Sequence, residues 1–92
     1  MPIAVPPFPR ATGDAAAAIR ARDWRGTVLG EPAQWPVALR CALELMLNSP
    51  ESMYLVRGPE LVFFHNDAYA PILGPRLHGA IGQPLRVLWA DA

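Results

Sequence analysis

The stretch 61–74, LVFFHNDAYAPILG, is an apolar run followed by a polar pair and a short segment that ends in glycine. Its first four residues are aliphatic or aromatic, which is typical of a β-strand. Asn66 or Asp67 can accept hydrogen bonds from the free N–H groups of a following helix, and Gly74 tolerates the left-handed conformation that ends one. The pattern predicts a strand, a helix cap, a short helix and a glycine that ends the helix, in that order. None of these features indicates a catalytic reaction.

A second strand is predicted just before this stretch. Residues 53–57 and 61–65 read as two strands around the turn Gly58-Pro59-Glu60. Both strands are apolar on both faces, so we expect one face to meet short helices and the other to meet N-terminal helices or a partner. An isolated hairpin is marginally stable and leaves both edges unpaired. We therefore predict self-association through the hairpin or its flanking helices, as a homodimer or strand-exchanged assembly.

Two helices are predicted before the hairpin. Asp14 can cap a first helix that ends near Trp24, and Pro36 suits the first turn of a second. Cys41 lies in the apolar run of the second helix, which favours packing over redox chemistry. The second helix is predicted from apolar residues that recur at helical spacing, namely Leu39, Leu43, Met46 and Leu47.

The distribution of charged residues and the number of cysteines limit the functions that this chain can have. The eight basic residues are all arginine, dispersed along the chain and balanced by eight acidic residues, so a nucleic-acid partner is not expected. The single cysteine excludes an intrachain disulfide and suits a reducing cytoplasm. The proline-rich residues 1–13 read as a flexible arm, and we expect no signal peptide and no membrane span.

No pattern in the chain indicates catalysis. His65 and His78 are the only histidines, and neither has metal-ligand spacing. No nucleophile elbow is present, and a phosphate loop that needs lysine cannot form in a chain without lysine. Capping accounts for Asp67 more simply than acid–base chemistry does. We predict no catalytic residue, no metal site and no evident cofactor.

An ordered set of motifs resembles the PAS domains found at the N-terminus of many bacterial sensor histidine kinases. The segment Asn66-Asp67-Ala68-Tyr69 lies at its centre. The other matching motifs, in the family's order, are Asp23-Trp24, Thr27-Val28-Leu29-Gly30, Gln34-Trp35-Pro36, Leu39-Arg40, Met46-Leu47-Asn48-Ser49, Arg57-Gly58-Pro59-Glu60-Leu61, Ala80-Ile81-Gly82-Gln83-Pro84 and Val87-Leu88-Trp89. Two positions depart from the family: His65 replaces a common aromatic residue, and Arg57 often corresponds to tryptophan.

The resemblance implies an α+β, PAS-like fold in which N-terminal helices precede a β-hairpin and short helices. Residues 14–92 would be a PAS-like domain truncated before the last strands of the sheet. The implied function is a non-catalytic signal-sensing and dimerisation module, the input region of a sensor histidine kinase. The resemblance marks two sets of residues: the structural motif Trp35, Asn66, Asp67, Tyr69 and Gly74, and the pocket candidates Phe63, His65, Tyr69, Ile72 and Leu73.

Two alternatives stay open from the sequence. A structural protein–protein interaction module would need the apolar hairpin and no ligand. An enzyme fragment, such as a small hydrolase or a haem protein, ranks last because no catalytic pattern is present. The identity of any small-molecule ligand is left open.

Overall fold

The computed structural model describes residues 8–90, which form helices around a two-stranded antiparallel sheet. This confirms the α+β class. The helices and strands are α1 (Asp14–Ala21), α2 (Val37–Leu47), β1 (Tyr54–Arg57), β2 (Val62–His65), α3 (Ala70–Leu73) and α4 (Leu85–Leu88), with single 3₁₀ turns at Pro32–Gln34, Asp67–Tyr69 and Gly74–Leu77.

The hairpin forms where the sequence predicts it, with each strand one residue shorter. Tyr54 pairs with His65, and Arg57 pairs with Val62. Leu61 was expected to begin β2, but its φ of 54° lies in the left-handed region that bulky residues rarely adopt. Its N–H donates to the carbonyl of Gly58 at 3.0 Å, so Leu61 completes the turn and β2 begins at the next residue.

The two faces of β2 enter two separate hydrophobic clusters. Val62 and Phe64 face a cluster built mainly from the N-terminal helices and their connecting loop, including Ile19, Trp24, Trp35, Leu39 and Leu43. Phe63 faces the other way and packs with Leu73, Ala80 and Leu88 from the short helices. The sequence expectation of a hairpin apolar on both faces is confirmed.

The outer edge of β2 is covered by the chain itself. The N–H of Gly82 donates to the carbonyl of Phe63 at 2.8 Å, and the N–H of Phe63 donates to Gln83 at 2.9 Å. The N–H of Leu85 donates to Leu61 at 3.0 Å. The prediction that both edges would be exposed is therefore wrong for β2. Since hydrogen-bonding direction alternates along an antiparallel pair, Val56, opposite Phe63, directs its backbone N–H and C=O toward the open side of β1.

The helix termini differ from the prediction at α1. Gly13 is the N-cap residue, with φ 105° and ψ 174°, and Asp14 is the first helical residue and makes no side-chain cap. The predicted capping role of Asp14 is therefore wrong. Gly74 has the expected positive φ, 55°, at the end of α3.

Helix α2 ends where the sequence predicts, but it begins one residue after Pro36 and its cysteine has different surroundings. Pro36 is its N-cap residue and Asn48 its C-cap residue. Cys41 is exposed on the outer side of the helix, so its expected packing in the core is wrong.

The described part of the predicted arm, residues 8–13, packs against the core. The ring of Phe8 meets Trp35 edge to face, with 5.7 Å between the centroids. The backbone N–H of Arg10 donates to Glu44 Oε2 at 2.8 Å, and Arg20 Nη1 donates to the carbonyl of Pro9 at 2.8 Å. Residues 1–7 of the arm lie outside the described residues.

Gly13→Ala should be much more destabilising than Gly26→Ala. A Cβ at Gly13 would overlap Asp67 Oδ2, and the backbone there lies in a region nearly reserved for glycine. Gly26 also has a positive φ, 79°, but a Cβ there meets nothing within 4 Å. Urea unfolding should show that the free energy of unfolding falls by about 2–4 kcal/mol for Gly13→Ala and by about 1 kcal/mol for Gly26→Ala. Equal losses would contradict the close contact between Gly13 and Asp67.

Candidate functional site

The Asn66 side chain is the hydrogen-bonding centre of the strand–helix junction. Asn66 is 1% exposed. Its Oδ1 accepts from the backbone N–H groups of Met53 and Tyr69, both at 3.1 Å. Its Nδ2 donates to the carbonyls of Met46 at 3.0 Å and Glu51 at 2.6 Å. One amide thus joins the end of α2, the approach to β1 and the turn before α3, and its predicted capping role is confirmed.

Asp67, the second residue of the predicted capping pair, caps a different helix. Its Oδ1 accepts from the backbone N–H of Ala15 at 2.7 Å, across a sequence separation of 52 residues. A carboxylate at this position satisfies one free N–H of α1 and interacts favourably with the partial positive charge of the helix start. Asp67 therefore couples α1 to the junction.

Four of the five predicted pocket residues contribute to packing or to the surface. Phe63 and Leu73 are fully buried in the second cluster, and Tyr69 packs against it. Phe63 stacks on Tyr54 with 5.7 Å between the ring centroids, and Ile72 is 58% exposed. His65 is the one of the five that lines the cavity described next.

A half-open cavity of about 290 Å³ lies alongside α1. We call it the α1 groove. Three positions at four-residue intervals along the chain, Asp14, Ala18 and Arg22, line it. Ala15 of α1 also lines it, and the other lining residues come from the end of β2, the capping turn and the segment before α4, namely His65, Asp67, Leu77, His78, Gly79, Ala80 and Ile81.

His65 presents one nitrogen without a partner in the described residues. It is 3% exposed, and its Nδ1 lies 2.8 Å from the backbone carbonyl of Asn66. A carbonyl oxygen only accepts, so Nδ1 carries the hydrogen and Nε2 is the acceptor in the neutral ring. His65 therefore offers this acceptor from a nearly buried position in the wall of the groove.

Arg22 contrasts with its neighbour Arg25. Arg25 forms an exposed ion pair with Asp23 at 3.0 Å, and that hydrogen bond lowers the pKa of the Asp23 carboxyl. Arg22 stacks over the Trp24 ring at 5.1 Å, and its buried Nε has no hydrogen-bond partner in the described residues. Gly82 permits this position, because a Cβ there would lie 2.5 Å from Arg22 Nε. Arg22 thus retains donor capacity beside the groove.

Residues 8–90 contain neither a clustered metal-ligand set nor a helix suited to a membrane. Within residues 8–90, no cluster of three or more His, Cys, Asp or Glu side chains is placed to hold a metal ion. The helices of that range are also too short and insufficiently apolar to cross a membrane.

Comparison with protein-family models, with curated proteins and with solved structures finds no match to this chain. The PAS-like assignment therefore stays a prediction that depends on the ordered motifs and on the junction around Asn66.

Sequence reasoning missed most of the groove. The sequence predicts Asp14 and Asp67 only as caps, gives His78 no metal-ligand spacing and shows Arg22 only as one of the dispersed arginines. The four-residue spacing of Asp14, Ala18 and Arg22 is visible in the sequence and indicates a common helix face. The approach of residues 77–81 to that face depends on tertiary packing, for which the sequence contains no local signal.

Asn66→Asp should destabilise the fold strongly although it barely changes side-chain shape. A carboxylate keeps the acceptor role toward Met53 and Tyr69 but cannot donate to the Met46 and Glu51 carbonyls. Urea unfolding should show that the free energy of unfolding falls by about 3 kcal/mol or more. The two buried carbonyls lose their hydrogen-bond donor and lie next to a buried negative charge.

Asn48→Asp is the matched control for this substitution. Asn48 is exposed and donates one side-chain hydrogen bond, to the carbonyl of Glu44 at 2.7 Å. For Asn48→Asp we expect the free energy of unfolding to fall by about 1 kcal/mol or less. A similar loss in both variants would refute the central role of Asn66.

Proposed function

We propose that this chain is a PAS-like, non-catalytic signal-sensing and dimerisation module of a bacterial signal transduction protein. In this proposal it works in the cytoplasm as the input region of a sensor histidine kinase. The observation that carries the proposal is the buried Asn66 junction, which joins β2 to the short helices at the position given by the family motif. The groove beside this junction is the place where a cue can act.

A cue in the α1 groove would act on the relative position of α1 and the junction. Both parts line the groove, and Asp67 already links them through Ala15. A ligand changes the balance between two arrangements only to the extent that it binds one of them more tightly. A ligand that contacts both walls of the groove would bind with a different affinity when α1 shifts relative to residues 65–67, because the distance between its two sets of contacts changes.

The dimerisation part of the proposal is based on the outer face of α2. Val37 is 65% exposed and Leu45 is 76% exposed, and the exposed Cys41 lies midway between them. The charged residues of α2, Arg40 and Glu44, are half-buried and bonded within the domain. Helices that are apolar on all sides are normally buried, so this face is suited to a second copy of the chain.

The spacing of the α2 face fits a two-fold axis near Cys41. With two α2 helices antiparallel across that axis, Val37 of one copy lies near Leu45 of the other, and the same contact repeats by symmetry. The open side of β1 is the second candidate surface, and it would give the strand-exchanged assembly instead.

A second candidate function is a structural interaction module without a ligand. The uncharged outer face of α2 favours it, because that face alone is sufficient for association. Ligand binding in the α1 groove distinguishes the two functions, because a purely structural module is not expected to bind a ligand there.

Leu45→Glu should dissociate the dimer without unfolding the domain. Leu45 is mostly exposed in the single chain, so a carboxylate there is tolerated until a second copy covers it. Sedimentation at micromolar concentration should show a dimer for the unchanged chain and at least tenfold weaker association for Leu45→Glu, about 1.4 kcal/mol.

Val28→Glu is the matched control, because Val28 is equally exposed but lies in the loop before α2. It should remain dimeric. A well-folded monomer of the unchanged chain would refute the dimerisation proposal, and equal weakening by both variants would assign the contact to another surface.

A further inference from the structure

We propose that the α1 groove binds a small zwitterion, with its ammonium group beside Asp14, Asp67 and His65 and its carboxylate beside Arg22. This inference rests on the sensing role proposed above and adds the chemical class of the ligand. It is carried by a separation of acceptors and donors along α1.

The side chains of Asp14, Asp67 and His65 bring hydrogen-bond acceptors to the wall of the groove. Asp14 makes no side-chain hydrogen bond to a described residue, and Asp67 uses Oδ1 for Ala15 and keeps Oδ2. His65, two residues before Asp67, adds the acceptor Nε2 from a 3% exposed ring. An ammonium group has three N–H donors, so it matches the acceptors that these three residues bring to the groove wall.

The other end of the groove has a guanidinium with no anion. Arg22 forms no salt bridge within residues 8–90, and its buried Nε is unsatisfied. A carboxylate in the groove would supply the anion that this half-buried guanidinium lacks, because guanidinium and carboxylate form paired hydrogen bonds. The guanidinium carbon of Arg22 lies over the Trp24 ring, 5.1 Å from the ring centroid.

The groove also has an apolar part of its wall. Ala15, Ala18, Ala80 and Ile81 line it between the charged ends. Asp14 and Arg22 are eight positions apart, which is ~12 Å along a helix axis at 1.5 Å per residue. A short aliphatic chain between the two charged groups of the ligand fits this separation better than the single carbon between the charges of an α-amino acid.

Charge balance favours a zwitterion over a simple ion. A carboxylate alone would leave Asp14 and Asp67 without a cation, and an amine alone would leave Arg22 without an anion. A ligand with both charges satisfies both ends, so selectivity follows from the two mismatches as well as from the matched contacts.

The test uses δ-aminovalerate as the probe, with valerate and pentylamine as controls that each lack one charge. Titration calorimetry on the full chain should show δ-aminovalerate binding at least tenfold more tightly than either control. Asp14→Asn should reduce the preference over valerate, and Arg22→Gln should reduce the preference over pentylamine. Each variant thus loses a different half of the selectivity.

A pair of alanine substitutions locates the binding. Ala18→Leu fills the groove without changing a charge, and Ala17→Leu places the same side chain on the adjacent exposed position outside it. Binding of δ-aminovalerate should weaken at least tenfold in Ala18→Leu and less than twofold in Ala17→Leu. Leucine, like alanine, is a good helix former, so weaker binding in either variant would not be caused by unfolding of α1.

Two results would overturn the inference. One is binding of valerate or pentylamine as tight as that of δ-aminovalerate, or no binding of any probe at millimolar concentration. The other is unchanged binding in Ala18→Leu. Either result leaves the Leu45→Glu sedimentation experiment intact, so failure of the ligand class is distinguishable from failure of dimerisation.

Discussion

The Asn66 amide is the interaction on which the rest of the arrangement depends. Its two acceptor bonds and its donor bonds join the end of α2, the approach to β1 and the turn before α3. Because the group is 1% exposed, water cannot replace a lost partner. The positions of β2, the end of α2 and the short helices are thus mutually dependent, and Asp67 extends that dependence to α1.

Local chemistry made much of the fold predictable. The hairpin, α2, the Asn66 cap and the glycine stop at Gly74 all follow from signals a few residues long. The two-sided burial of β2 was also predictable, because Val62, Phe63 and Phe64 leave no polar face. Errors occurred where a distant segment decides the outcome: residues 82–85 cover the edge of β2, and Asp67 rather than Asp14 caps α1.

The candidate site was less predictable than the fold. Phe63, Tyr69 and Leu73 were expected to surround a ligand, but aromatic packing of Tyr54 and Tyr69 against Phe63 fills that space. The cavity lies instead beside α1, where alanine side chains leave room. His65 belongs to it because residue 65 lies at the end of β2, next to the turn that contacts α1.

The bond from Asp67 to Ala15 has a consequence for the order of folding. Helix α1 has eight residues, too few for a stable helix in isolation. During synthesis at roughly 5–20 residues per second, α1 is made several seconds before the carboxylate that caps it. The final structure of α1 therefore depends on residues that are translated later, so this helix becomes stable only once the junction around Asp67 has been made.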